Sequence, residues 1–115
     1  MMKAIGIDTP VEQLVITSGS QQGLDLVAKA FLDKGDKVIV ESPTYMGAVN
    51  AIKYYQPQFL EVETDQDGMR MDALERVLQE NPDAKFIYTI PDFQNPTGQV
   101  LARERRSRMI GLAEQ

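Results

Sequence analysis

Apolar residues along this chain follow two alternating patterns, short continuous runs and longer stripes at helical spacing. Apolar runs bounded by turn-forming residues are typical of buried strands, whereas stripes at i, i+3, i+4 and i+7 are typical of helices packed on one side. Four runs begin at residues 14, 37, 58 and 85, and helical spacing follows each of them. The pattern therefore predicts a strand and a helix, repeated four times along the chain.

The predicted strands have bounds that the flanking turn residues define. They are Leu14–Ile16, Lys37–Glu41, Gln58–Glu63 and Lys85–Ile90, and the last helix is expected over 101–114. Alternating strands and helices require crossover connections, which make the strands parallel and place helices on both faces. We therefore expect an α/β fold in three layers, with a mostly parallel sheet of about four strands. At 115 residues, the chain is expected to form a single domain or part of one.

Composition and charge exclude several classes of partner and of catalytic group. The chain is 43% hydrophobic and 25% charged, which is typical of a globular protein, and its net charge of -5 argues against nucleic acid or an anionic membrane as partner. It has no Cys and no His, which excludes disulfides, thiolate metal sites and histidine general bases. No apolar run approaches a membrane span and no signal-peptide pattern is present, so the expected location is the cytoplasm.

Three polar loops leave the predicted strands. They are Ser18–Gln21, Ser42–Tyr45 and Asp92–Gly98. Because parallel strands end at the same edge of a sheet, where α/β proteins bind ligands, we expect the loops to converge into one pocket.

Each loop offers a different chemical group. Ser20 lies where a helix begins, and unpaired N–H groups there suit an anion such as phosphate. Tyr45 offers a flat face or a hydroxyl, and Asn95, next to Pro96, offers one acceptor and two donors. Taken singly, a helix cap, a packing tyrosine and an Asn-Pro turn are equally good or better interpretations.

Two charged clusters are interpreted as structural. Arg103, Arg105, Arg106 and Arg108 are expected to form a solvated face of the last helix. The acidic residues between 63 and 67 lack the ligand spacing of a calcium loop, so they are interpreted as a turn and no metal site is predicted.

Three segments together resemble a known family. Ile16–Leu24, Val40–Tyr45 and Asn95–Gly98 are similar, in order and spacing, to class I/II aminotransferases. These are pyridoxal-phosphate enzymes of fold type I, and the similarity is greatest to the 2-aminoadipate and MocR-like branch. The resemblance covers essentially the whole chain.

The resemblance implies a cofactor and the residues that hold it. The family binds pyridoxal 5'-phosphate and transfers an amino group between an amino acid and a 2-oxo acid. By position, Gly19, Ser20 and Gln21 match the phosphate loop, Tyr45 matches the aromatic residue that stacks on the pyridine ring, and Asn95 matches the residue that hydrogen-bonds the phenolic oxygen. The family often has a cis peptide before the proline, so Asn95–Pro96 is expected to be cis.

The resemblance also implies what the chain lacks. The Schiff-base lysine, the aspartate that pairs with the pyridine nitrogen and the substrate-binding arginine lie beyond Gln115 in the family, so no catalytic residue is assigned here. The chain is expected to be the cofactor-binding part of a large domain, and inactive alone. In the family, other strands separate the first strand from the last. We therefore expect Leu14–Ile16 to pair with Lys85–Ile90, or the chain to form a homo-oligomer through exposed edges or swapped elements.

Two other interpretations remain open from the sequence. The chain could be a stand-alone, non-enzymatic α/β module that binds a phosphorylated small molecule or a protein partner. It could also be a piece of a longer protein with no function of its own.

Overall fold

The structure is a computed structural model that describes residues 6–114. It contains four α-helices and four strands within those residues. In chain order these are α1 Ser20–Phe31, β1 Lys37–Ser42, α2 Met46–Ile52, β2 Gln58–Asp65, β3 Gly68–Met69, α3 Met71–Glu80, β4 Phe86–Tyr88 and α4 Arg103–Ala113. Single 3₁₀ turns cover Val11–Gln13 and Lys53–Tyr55.

The strands form one sheet in the order β3-β2-β1-β4. β1 lies inside it and is parallel to both neighbours, with Val38 opposite Phe59 on one side and Phe86 on the other. β3 is antiparallel to β2 and pairs Met69 with Thr64. The predicted mostly parallel α/β sheet is therefore confirmed.

Successive residues of β1 point to opposite faces and divide the core in two. Val38 and Val40 pack with α1 and α2, whereas Ile39 packs with α3 and the chain entering α4. The α3/α4 face has the buried residues Ile39, Val62, Met69, Met71, Ala73, Leu74 and Leu101. The α1/α2 face has Ala28, Leu32, Val38, Val40, Ala48 and Ile52. Helices therefore cover both faces, as predicted.

The predicted strand at Leu14–Ile16 is wrong. The segment is not part of any helix or strand, and Val15 and Ile16 are 78% and 99% exposed. Its expected pairing with the last strand is also wrong, because β4 pairs only with β1 in the described sheet. An apolar run becomes a strand only where a neighbour accepts its backbone hydrogen bonds, and this run has none in residues 6–114.

The predicted turn near residue 67 is part of a hairpin. β2 continues to Asp65, a tight turn follows, and Gly68–Met69 returns as β3. Gly68 has φ of 88°, a left-handed conformation that favours glycine. The sequence signal for this element was weak because β3 is only two residues long.

The predicted solvated arginine face is wrong for two of its residues. Arg105 donates to both carboxylate oxygens of Asp65, at 2.8 and 2.9 Å, and to the carbonyl oxygen of Gly68 at 3.0 Å. Arg106 donates to Asp92 Oδ1 at 2.6 Å and to the carbonyl oxygen of Pro91 at 3.0 Å. These side chains fasten α4 to the hairpin and to the loop after β4.

Residues 6–114 contain neither a membrane-spanning helix nor a cluster of metal-ligating side chains. None of the helices there has the length and apolar composition needed to cross a membrane. No group of three or more carboxylates is placed to hold a metal ion.

Candidate functional site

A cavity of about 680 Å³ lies between α1, the loop after β1 and the chain after β4. Ser20, Tyr45 and Asn95 line it, one from each of the three polar loops. Its other walls are mostly apolar. They comprise Gly23, Leu24, Val27, Ile52, Phe86, Ile87, Tyr88 and Ile90. The expected convergence of the three loops is therefore observed.

The first loop ends at the N-terminus of α1. Gly19 is the N-cap residue, with φ of 80°, and no side chain caps this end of the helix. The serine caps that were an alternative interpretation are therefore absent. The Ser18 N–H instead donates to Gln22 Oε1 at 2.6 Å. The first turn of α1 thus keeps backbone donors without a side-chain acceptor, next to the Ser20 hydroxyl.

The second loop places Tyr45 at the N-cap of α2, after a cis Ser42–Pro43 peptide. The Tyr45 ring lies over Gly47, so closely that a Cβ at position 47 would overlap it. Gln21 lies nearby, and its Nε2 donates to the Gly47 carbonyl oxygen at 3.1 Å. Gly47 therefore helps to define the ring position. Gly47 was not predicted as a site residue, although a glycine early in a helix is unfavourable and therefore a signal of some other role.

The third loop contains Asn95, and the Asn95–Pro96 peptide is cis, as expected. The Arg106 contacts to Asp92 and Pro91 hold the base of this loop. The hydrogen bond from Arg106 also lowers the pKa of the Asp92 carboxyl below its usual range. The loop is thus anchored at its start by an ion pair.

Two buried polar residues next to the loops that line the pocket were missed from the sequence. Glu41, one residue before the end of β1, is 2% exposed, and Gln94, before Asn95, is 3% exposed. Burial raises the pKa of Tyr88 in the pocket wall, and the negative charge of Glu41 adds to that rise. The sequence signal for Glu41 was a carboxylate directly after the apolar residues of a predicted buried strand. A buried charge is stable only when other groups bond to it, so such a residue indicates polar partners nearby.

The structure therefore brings together three of the five residues assigned to the site. Ser20, Tyr45 and Asn95 line one cavity, while Gly19 shapes the start of α1 without lining it. Gln21 also does not line the cavity, since its amide is directed to Gly47.

The family model for aminotransferase class I and II matches residues 2–115. The chain belongs to the class I and II aminotransferase family. The family resemblance expected from the three sequence segments is thereby confirmed.

Two curated aminotransferases resemble this chain over most of its length. The aromatic-amino-acid aminotransferase 1 of Thermococcus litoralis is 46% identical over 94% of this chain and 27% of its own. The 2-aminoadipate transaminase of Thermus thermophilus is 49% identical over 88% of this chain and 25% of its own. The chain therefore spans about a quarter of the length of these aminotransferases.

Solved aminotransferases share the fold. The crystal structure of the α-aminoadipate aminotransferase LysN from Thermus thermophilus, complexed with N-(5'-phosphopyridoxyl)-L-leucine, superposes with a TM-score of 0.89 and 43% identity. That match covers 98% of this chain and 28% of LysN. An archaeal alanine:glyoxylate aminotransferase gives a TM-score of 0.90 at 36% identity, again over 98% of this chain. The fold of this chain is that of an aminotransferase segment.

Proposed function

We propose that this chain is the part of an aminotransferase domain that holds pyridoxal 5'-phosphate by its phosphate, its ring face and its ring oxygen. The whole protein would transfer an amino group between an amino acid and a 2-oxo acid. The main support is the single cavity lined by Ser20, Tyr45 and Asn95 in a chain of this family. The phosphopyridoxyl ligand of LysN is consistent with this assignment.

The N-terminus of α1 suits the cofactor phosphate. Gly19 leaves the backbone accessible there, because nothing lies within 4 Å of where its Cβ would be. The uncapped first-turn N–H groups and the Ser20 hydroxyl supply donors, and the helix dipole favours a dianion. Gln21 acts indirectly in this scheme by tying α1 to α2.

Tyr45 and Asn95 suit the two other parts of the cofactor. The Tyr45 ring can stack on a heteroaromatic ring, and its support on Gly47 limits its movement away from the pocket. The Asn95 amide can donate to the phenolic oxygen. Leu24 and Phe86 give the cavity apolar walls against which the ring can pack. When bound, the cofactor supplies the electron sink for chemistry at the amino-acid α-carbon.

The residues of this chain account for binding but not for covalent attachment. Among residues 6–114, no lysine lines the cavity. We therefore expect the chain alone to bind the cofactor without a covalent bond and to show no transamination, since that reaction needs an amine nucleophile.

A titration of the purified chain with pyridoxal 5'-phosphate tests the proposal. Followed by absorbance, it should give saturable binding that weakens about tenfold in Ser20→Ala and in Asn95→Ala, because each variant loses a hydrogen bond to a charged or polar oxygen. Ser107→Ala on α4 and Asn50→Ala on α2 are matched controls at exposed positions and should bind like the unchanged chain.

Borohydride reduction at the end of the titration completes the test. Release of the cofactor on denaturation would support noncovalent binding. Absence of saturable binding, equal loss in the two control variants, or trapping at one specific lysine would each contradict the proposal.

Two further expectations remain predictions. Self-association is supported by the exposed Val15 and Ile16 and by the outer edge of β4, which has no strand beside it in the described sheet. Sedimentation velocity over a range of concentrations would measure it.

A cytoplasmic location likewise stays a prediction from the sequence.

A further inference from the structure

One buried side chain connects the two loops that contain Tyr45 and Asn95. Gln94 Nε2 donates to the carbonyl oxygen of Pro43 at 2.8 Å, two residues before Tyr45. Gln94 Oε1 accepts from Thr97 within its own loop, from the backbone N–H at 2.9 Å and from the hydroxyl at 2.7 Å. The amide thus bridges the loop after β1 and the loop after β4.

A buried carboxylate supports this bridge from below. Glu41 Oε2 accepts from the Ile90 N–H at 3.1 Å and from Gln94 Nε2 at 3.4 Å. Glu41 Oε1 accepts from the Thr89 hydroxyl at 2.9 Å. These contacts connect the carboxyl ends of β1 and β4 with the Gln94 amide.

We infer that Gln94, supported by Glu41, is a positioning residue that sets how Tyr45 and Asn95 face each other across the pocket. The inference deepens the proposed function and rests on it for the identity of what is held there. Gln94 is adjacent to Asn95 in the chain and bonded to the segment that leads into Tyr45. Fixing it therefore fixes both loops at once, which matters because binding groups must be held within about half an ångström.

The contacts explain why position 94 needs an amide. The side chain must donate to Pro43 and Glu41 on one side and accept from Thr97 on the other. A primary amide of this length offers both a donor group and an acceptor. Glutamate would lose the donor and face a second carboxylate, and methionine would lose both functions, leaving buried groups unpaired.

Nuclear magnetic resonance of the chain selectively labelled with ¹⁵N-asparagine tests the inference without the cofactor. The chain has three asparagines, Asn50, Asn81 and Asn95, so the spectrum is simple. Gln94→Glu and Gln94→Met should shift or broaden the side-chain amide resonances of Asn95, which report on its position in the pocket, and leave those of Asn81 in place. Gln79→Glu and Gln79→Met, at an exposed position of α3, are the matched controls and should leave Asn95 unchanged.

A graded pair at Glu41 provides a second measurement. Glu41→Gln can still accept from Ile90 and Gln94 while its amide faces the Thr89 hydroxyl, so Asn95 should keep its resonances. Glu41→Leu removes all acceptors and should move them. Urea denaturation shows whether each variant is folded. If Gln94→Glu is unfolded, the two Glu41 variants and Gln94→Met test the inference without it.

The cofactor titration separates this inference from the proposed function. Gln94→Met should weaken binding of pyridoxal 5'-phosphate about tenfold, as expected for a supporting partner of binding groups. No binding by the unchanged chain would contradict the proposed function, while the Asn95 resonances would still test the bridge. Unchanged Asn95 resonances in Gln94→Met and Glu41→Leu, with both variants folded, would overturn the inference.

Discussion

The two faces of the sheet are covered by helices in different ways. On the α3/α4 face, Met69, Leu74 and Leu101 fill the core, and arginines of α4 fasten that helix to the hairpin and to the loop after β4. On the α1/α2 face, the helices leave the candidate cofactor cavity, and Val27 and Phe31 of α1 remain 46% and 64% exposed. Helices with similar apolar stripes thus form a closed core held by ion pairs on one face of the sheet and an open pocket on the other face.

The difference shows which parts of the chain stabilise the fold and which are available for binding. Charged side chains that connect distant segments lie mainly on the α3/α4 face. The contacts between α1 and α2 include hydrogen bonds such as that of Gln21 with Gly47. We therefore expect substitutions in the α3/α4 core to change stability, and substitutions of Ser20, Tyr45 or Asn95 in the cavity lining to change binding more than stability.

The largest effect should come from the centre of the α3/α4 core. Leu74 is fully buried, so Leu74→Ala should lower the free energy of unfolding by about 2–5 kcal/mol through lost burial and a cavity. Phe31→Ala, at a side chain that is 64% exposed, should change it by less than about 0.5 kcal/mol. Urea denaturation followed by circular dichroism measures both, and equal losses would remove the distinction between the faces.

The next largest effect concerns the arginine that fastens α4. Arg105→Lys should lower the free energy of unfolding by about 1–2 kcal/mol. The guanidinium group donates to Asp65 and to the Gly68 carbonyl oxygen at the same time, and one ammonium group cannot replace all of these hydrogen bonds. Arg103→Lys, at an exposed position of the same helix, is the control. The same urea experiment compares them, and a loss in the control alone would argue against fastening by Arg105.

The ion pairs of α4 also predict an acid dependence. Hydrogen bonds from Arg105 and Arg106 lower the pKa values of Asp65 and Asp92 below their ordinary range. A carboxyl whose folded pKa is depressed adds stability above its unfolded pKa of about 4 and loses it as the pH falls through the folded value. Urea midpoints should therefore decline below about pH 4. In Asp92→Asn the decline should be smaller, and an unaltered profile would contradict a role for this pair.

A pair of glycines should separate stability from binding. Gly111→Ala on α4 meets no neighbour within 4 Å and should stabilise the chain by about 0.5–1 kcal/mol through helix propensity. Gly47→Ala places a methyl group where the Tyr45 ring lies, so the ring must move. Binding of pyridoxal 5'-phosphate should weaken about two- to tenfold through poorer stacking. Thermal melts and titrations measure both, and unimpaired binding in Gly47→Ala would show that the ring position is unimportant.

The smallest effect on stability should occur at the unpaired segment. Ile16→Lys should change the free energy of unfolding by less than about 0.5 kcal/mol, since the side chain is almost fully exposed. It should also reduce any self-association measured by sedimentation velocity. A large loss of stability would mean that the segment packs against something in solution.

The chain's local pattern was sufficient for most of the fold and part of the site. The runs that became β1, β2 and β4 were identified within a few residues, as were the helices between them. The three loops were also expected to meet, because strand ends in a parallel sheet share one edge. The Leu14–Ile16 run met the same criteria and failed, since periodicity reports burial of a side chain but says nothing about a partner strand.

Sequence alone therefore determined the order of strands and helices, the polarity of the loops and the family. Tertiary structure decided which apolar run stayed unpaired, that Arg105 bonds a carboxylate 40 residues away, and that Gln94 is buried between two loops. The physical reason is the separation along the chain between the residues that interact. Helical and strand periodicity arises between near neighbours in the chain, whereas these contacts arise only when distant segments fold together.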